Sequence, residues 1–257
     1  MAASPFEEPE LFDRVLGDHP FGRDFYLGLA RDARGPVLEV GCGTGRILLP
    51  CLEAGIDVEG LDLYAPMLER LKAKARAKGL QARVFEGDMR GFRLPRRYAL
   101  VVIPCNGFAH CLTSEEELSC LRACRDHLRP GGILAFDSFS AGPKYLAQPD
   151  GNRVLEGEVA DARTGGRLRV WDNRFFDRPA RTQRSRMEIE EIDSSGKPGA
   201  VHVWEAVQRW TTRADLEPLL AEAGFGRVEF LGGFEREPFE EDGTMVVLAT
   251  REDGDGR

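Results

Sequence analysis

Two rhythms of apolar and polar positions divide the chain. Between residues 36 and 140, short apolar runs alternate with helical patterns. Val37, Leu38 and Val40 read as a strand buried on both faces. Further apolar strands follow at 56–61, 82–85 and 98–103. Ile47, Leu48, Cys51 and Leu52 recur at helical spacing, the pattern over 66–78 predicts a helix closed by Gly79, and Thr113 opens another through His127. Glu116, three positions after Thr113, predicts a capping box. The phrase RPGGILAFDSF, residues 129–139, reads as a tight turn into a fifth strand. Strands alternating with helices in this way predict a doubly wound parallel sheet, with its ligand crevice where strand order reverses.

Past residue 150 the rhythm changes. Residues 152–210 hold alternating segments parted by Thr164-Gly165-Gly166, by Pro179 and by Ser194 to Pro198, which predicts four antiparallel strands. A helix over 213–223 then ends at Gly224, and strands follow at 227–231 and 245–250. Ahead of the sheet, residues 5–33 carry two short amphipathic helical patterns broken by Gly17 and Pro20, placed to form a lid. The chain thus divides into an N-terminal helical lid (1–35), a core of 36–150 and 211–250, an antiparallel β insertion (151–210) and a disordered tail (251–257). The insertion serves either the substrate or a homodimer interface, since antiparallel excursions offer edges that a second chain can pair with.

The sharpest local signal is PVLEVGCGTGR at 36–46. An apolar strand stops in Gly41, Gly43 and Gly45, a turn whose backbone must approach a ligand, and Thr44 is placed to cap the helix that follows. Strand, glycine turn and helix start form a nucleotide site. A dinucleotide loop spaced G-x-G-x-x-G needs its third glycine at 46, where Arg46 stands, so a nicotinamide-dependent dehydrogenase is disfavoured. Asp62, at the end of the second strand, is placed to accept hydrogen bonds from both ribose hydroxyls.

Charge and composition narrow the class further. The 257 residues carry a net charge of −8, which argues against general affinity for nucleic acid or anionic membrane. The N-terminus MAASPFEEPE has acids where a signal peptide has basic residues, and no stretch is apolar enough to cross a bilayer, so a cytoplasmic protein is expected. Six cysteines without a C-x-x-C pair predict buried thiols and no metal site.

Taken in order, VLEVGCGTG, the acid in GLDLYAPML, GDM at 87–89 and LRPGG at 128–132 resemble successive motifs of the class I S-adenosylmethionine-dependent methyltransferases. The resemblance implies a Rossmann-like seven-stranded sheet whose last strand runs antiparallel, with the cofactor across the carboxyl ends of the first four strands. It implies that Glu39 and the loop Gly41, Cys42, Gly43, Thr44 and Gly45 hold the methionine portion, that Asp62 takes the ribose, and that Leu63 and Met67 pack beside the adenine. Asp88 would accept from the adenine amino group, the Met89 N–H would meet a ring nitrogen, and Cys105 and Asn106 would border the sulfonium. The insertion, with GDMRGF and NGFAHCL, is similar to small-molecule N-methyltransferases, including those that dimethylate amino groups of nucleotide-linked sugars. In such relatives a basic residue pairs with the cofactor carboxylate, and Arg23 matches it; a tyrosine pair precedes an aspartate, where this chain has Leu11, Phe12 and Asp13. His110, just after the fourth strand, is the candidate general base. The expected activity is methyl transfer from S-adenosylmethionine to a small-molecule amine or hydroxyl, with S-adenosylhomocysteine as product. The alternatives are an RNA or DNA methyltransferase, against which IPCN at 103–106 stands in place of N-P-P-[YF], and a non-catalytic cofactor-binding module.

Overall fold

The computed structural model describes residues 3–17 and 19–252. Its larger sheet has seven strands: β1 (Val37–Val40), β2 (Val58–Asp62), β3 (Arg83–Glu86), β4 (Tyr98–Ile103), β5 (Leu128–Ser140), β10 (Phe225–Leu231) and β11 (Gly243–Arg251). They lie in the order β10-β11-β5-β4-β1-β2-β3. The first five strands are mutually parallel, while β11 runs antiparallel to both β5 and β10. Strand order reverses between β1 and β4, so the crevice opens over their carboxyl ends. The Rossmann-like fold with its antiparallel last strand is therefore as expected.

Alternation along β1 sets the two layers. Leu38 and Val40 face the core shared with α5 (Ser114–His127) and α7 (Arg213–Ala223), whereas Val37 faces the core under α2 (Arg23–Asp32), α3 (Leu48–Glu53) and α4 (Ala65–Ala77). Each fully buried valine or leucine stabilises by about 1.5–3 kcal/mol, which lets this strand hold the buried Glu39 carboxylate among them. Among the described residues, no helix is long and apolar enough to cross a membrane.

Two capping expectations are corrected. Helix α3 begins at Leu48 with Ile47 in the cap position and no side-chain cap, so Thr44 does not cap it. Thr44 belongs to the loop three residues earlier, where Gly45 holds a φ of +91° and has no room for a Cβ between Leu49 and Leu71. At α5 the Thr113 hydroxyl does accept from the Glu116 N–H, but the Glu116 carboxylate accepts from the Leu112 N–H rather than the cap residue's own. Its pull is outward, toward Arg90.

The insertion is a separate four-stranded antiparallel sheet, β6 (Arg153–Asp161), β7 (Gly166–Asp177), β8 (Thr182–Ile192) and β9 (Pro198–Arg209), in sequential order. Helix α1 (Pro9–Leu16) packs Leu11 and Val15 on its inner face against Leu168, Ile189 and Trp204. The same helix reaches α4 through Asp13, which pairs with Arg70 and Lys74 at 2.7 Å each. At the opposite end, Ala141 and the short α6 (Pro143–Leu146) pack on Phe176 and Trp210. The part of the tail at 253–257 lies outside the described residues; Arg251 closes β11 and donates to the Arg125 carbonyl at 3.1 Å.

Candidate active site

The glycine loop is held by its own N–H groups. Gly41 and Cys42 both donate to the Leu61 carbonyl (2.7 and 3.0 Å), Gly43 donates to Asp62 Oδ2 (2.7 Å) and Gly45 to the Cys42 carbonyl (2.9 Å). A loop that cradles phosphate needs such N–H groups free. Here they are occupied, which turns the loop away from a pyrophosphate and leaves its open side to a ligand that makes other contacts. Gly41, with φ of +72°, has nothing within 4 Å of a built Cβ and borders that open side.

Two side chains beside the loop, one acidic and one basic, each leave one polar atom without a partner. Glu39 is 2% exposed and its Oε2 has no hydrogen-bond partner; burial pushes its carboxyl up to about 8 against the pull of Arg46. Arg46 donates through Nη1 to the carbonyls of His19 (3.0 Å) and Phe21 (2.6 Å), while its buried Nη2 has no partner. An acidic group that an ammonium would ionise and a guanidinium with a free donor suit a zwitterion. Arg46 is the residue that the sequence reading used only to reject a dinucleotide loop. Arg23, the residue named for that task, starts α2 half-exposed, with Asp24 Oδ1 3.8 Å away.

Asp62 closes β2 with both carboxylate oxygens engaged once, Oδ1 by the Tyr64 N–H (2.9 Å) and Oδ2 by the Gly43 N–H (2.7 Å). Burial raises its carboxyl, and the backbone donors at Tyr64 and Gly43 offset part of that rise. Each oxygen keeps a lone pair, enough for two neighbouring hydroxyls. Leu63 beside it is exposed at 50% and offers an apolar surface, whereas Met67 is buried directly beneath Gly43 and supports the loop from below. Cys42 likewise turns into the core, against Gly60. Asp88 is held by Arg90, which keeps its carboxyl low, and Met89 is packed partly against the core.

Across the crevice, the turn after β4 carries Cys105 and Asn106 at φ of +61° and +55°, in the left-handed region that non-glycine residues seldom adopt. Asp137, buried on β5, accounts for this strained turn. Its Oδ1 accepts from the Cys105 N–H (2.8 Å) and the Tyr26 hydroxyl (2.6 Å), and its Oδ2 accepts from the Asn106 N–H (2.7 Å). Three donors on one carboxylate fix the turn and tie α2 to it. The sequence reading missed Asp137, although an acid at the end of a buried strand, FDSF, was a usable signal. Cys105 alone of the six cysteines is exposed; the other five are buried. Asn106 Oδ1 and Ser138 Oγ are buried without partners on this side of the crevice.

His110 ends the 3-10 turn Gly107–His110 that follows. Its ring meets Phe6 edge-on at 5.3 Å, and Phe6 in turn stands 5.0 Å from the Tyr64 ring, so the N-terminal segment spans the crevice from one loop to the other. Burial lowers the His110 pKa, and a hydrogen bond to the Val207 backbone offsets part of that fall. The imidazole is therefore neutral near pH 7, the form in which it can take a proton.

Sheet order, glycine loop and strand-end carboxylates give the chain a fold and crevice like those of class I methyltransferases. Residues 37–132 match the family model described as a methyltransferase domain. The chain is 32% identical over 130 residues to the dTDP-3-amino-3,4,6-trideoxy-alpha-D-glucopyranose N,N-dimethyltransferase of Streptomyces venezuelae, covering 44% of this chain and 53% of that one. It is 34% identical over 101 residues to the cypemycin N-terminal methyltransferase of a Streptomyces species, covering 39% and 40%. The chain thus spans about half the length of the curated relatives it matches. The CcbJ methyltransferase of Streptomyces caelestis superposes with a TM-score of 0.77 at 25% identity, over 97% of this chain and 99% of that one.

Proposed function

We infer that this protein transfers a methyl group from S-adenosylmethionine to the nitrogen of a small-molecule amine. The observation that carries the reading is the unpartnered pair Glu39 Oε2 and Arg46 Nη2 beside a loop whose N–H groups are already taken. That pair fits the ammonium and carboxylate of an amino-acid tail. The matches to N-methyltransferases of amino sugars and of a peptide N-terminus favour an amine acceptor.

When bound, the cofactor supplies a methyl group already activated on a sulfonium. The chain's own part is alignment and exclusion of water. Glu39 and Arg46 bind the tail, Asp62 the ribose hydroxyls, Leu63 and the Met89 N–H the adenine with Asp88, and the turn at Cys105 and Asn106, braced by Asp137, borders the reacting centre. His110 accepts a proton from the acceptor's nitrogen when that nitrogen enters charged, and Phe6 shields the crevice from solvent. The inserted sheet, over which α1 closes, encloses the acceptor.

Formation of S-adenosylhomocysteine across a panel of small amines, alcohols and thiols tests the reading. Turnover confined to amines is expected; tight cofactor binding without turnover on any acceptor would favour a non-catalytic module. His110→Ala should leave cofactor affinity intact and lower the rate at least tenfold, about 1.4 kcal/mol of barrier. An unchanged rate would remove His110 as the base.

A further inference from the structure

The inner face of the inserted sheet is apolar at both ends and polar between them. Register places Asp172 opposite Met187, Arg174 opposite Ser185 and Phe176 opposite Gln183, and alternation turns Asp172, Arg174 and Phe176 to the same side as Leu168. Helix α1 covers the end with Leu168, Ile189 and Trp204, while Ala141 and Tyr145 cover the end with Phe176 and Trp210. In the polar strip, Asp172 shares its row with Met187 and Trp204 at the edge of the α1 end, and the next row carries Arg174, Ser185 and Ala206. The Phe176 end of this face lies against the carboxyl end of β5, since Ala141 follows directly on Ser140.

Hydrogen bonds in the strip run toward one carboxylate and stop short of completing it. The Tyr145 hydroxyl donates to Gln183 Oε1, Gln183 Nε2 donates to Ser185 Oγ (2.9 Å), and Ser185 Oγ donates to Asp172 Oδ2 (3.2 Å). Arg174 Nε donates to the same Oδ2 at 2.7 Å. Oδ1 has no partner, although Asp172 is only 5% exposed. The far end of Arg174 pairs with Glu156, so two carboxylates share one guanidinium and a negative charge is left in excess. A carboxylate oxygen shut away from water without a donor is destabilising.

We propose that Asp172 recognises the methyl acceptor, its Oδ1 taking an ammonium group of a small cationic amine. The proposal rests on the reading of the protein as a small-molecule methyltransferase and adds the charge of the acceptor. Arg174 and Ser185 orient the carboxylate by holding Oδ2, and the Tyr145 ring, 5.6 Å from the Arg174 guanidinium, borders the strip. A hydroxyl would fill the hydrogen bond but leave the excess charge, and a carboxylate or phosphate would meet it with like charge. Asp172 forms and breaks no covalent bond in this role; it is a binding residue.

The test is an NMR titration of the full-length protein, saturated with S-adenosylhomocysteine, using glucosamine and glucose, the same ring with and without the ammonium. Glucosamine should bind at least tenfold more tightly than glucose. In Asp172→Asn, which keeps the side-chain shape, that ratio should fall to near one while affinity for S-adenosylhomocysteine is unchanged. Equal affinities in the wild type, binding of neither sugar, or a preference that survives Asp172→Asn overturns the proposal, and the wild-type comparison needs no variant. Failure of the wild type to bind S-adenosylhomocysteine would defeat the methyltransferase reading instead, so the two outcomes are distinguishable.

Discussion

Glu39 shows how a single residue can report the state of the site. Its carboxyl, held near 8 by burial, carries a proton at neutral pH in the free protein. Because that folded value lies above the ordinary 4.5, the contribution of Glu39 to stability is fully present below about 4.5 and is lost as pH rises toward 8. An ammonium brought to Oε2 favours the anion, so binding of S-adenosylhomocysteine should release a proton between about pH 6 and 8, and affinity should rise with pH across that window. Calorimetry in two buffers of different ionisation heat measures the release, and Glu39→Gln should abolish it. A wild type that exchanges no proton would remove Glu39 from the neighbourhood of the ammonium. Of the residues in this site, Glu39 and Asp62 were legible because strand ends and glycine spacing fix where they stand. Arg46 and Asp137 were not, because their roles depend on contacts to His19, Phe21, Tyr26, Cys105 and Asn106 that sequence spacing does not encode.

At the scale of elements, the N-terminal helix is where local pattern and tertiary contact meet. Its periodicity predicted an amphipathic helix, and Leu11 and Val15 do form one apolar stripe. What the pattern could not supply was its polar anchorage: Asp13 to Arg70 and Lys74 on α4, and Arg14 to Asp161 and Glu191 on the inserted sheet. Helix α1 thus links the core to the insertion. Burial works to raise the Asp13 carboxyl, but hydrogen bonds from Lys74 and Arg70 outweigh it and hold the group below its ordinary value. The stability this contributes is present above the ordinary value of 3.8 and is lost as pH falls through the lowered one. Asp13→Ala should cost about 1–2 kcal/mol, discounted for the exposure of its partners, and should speed hydrogen exchange in α1 at least tenfold while α4 stays protected. Unchanged exchange in α1 would show that the apolar stripe alone holds it. The two caps that were misread share a cause with the anchorage that was missed, since Glu116 and Thr44 each answer to neighbours distant in sequence or to loop geometry rather than to the helix that follows them.

On the scale of the whole molecule, the doubly wound parallel sheet was legible because apolar runs, turns and connection lengths leave few ways to wind one, while its antiparallel last strand came from the resemblance. The number of inserted strands was legible for a similar reason, from alternation and turn residues. Which face of the inserted sheet turns inward was not, because the polar positions among its apolar ones look, in one dimension, like the solvated face behind them. Only register and packing separate Asp172, turned inward, from Arg153 and Glu188, which pair on the other side. The claim on which this account turns is that S-adenosylmethionine or its product occupies the crevice with its ribose on Asp62. Calorimetric titration of S-adenosylhomocysteine into the wild type and into Asp62→Ala tests it most directly. Saturable one-to-one binding that weakens at least tenfold in the variant is the expected result, and indistinguishable affinities in the two proteins, whether both tight or both absent, would contradict it.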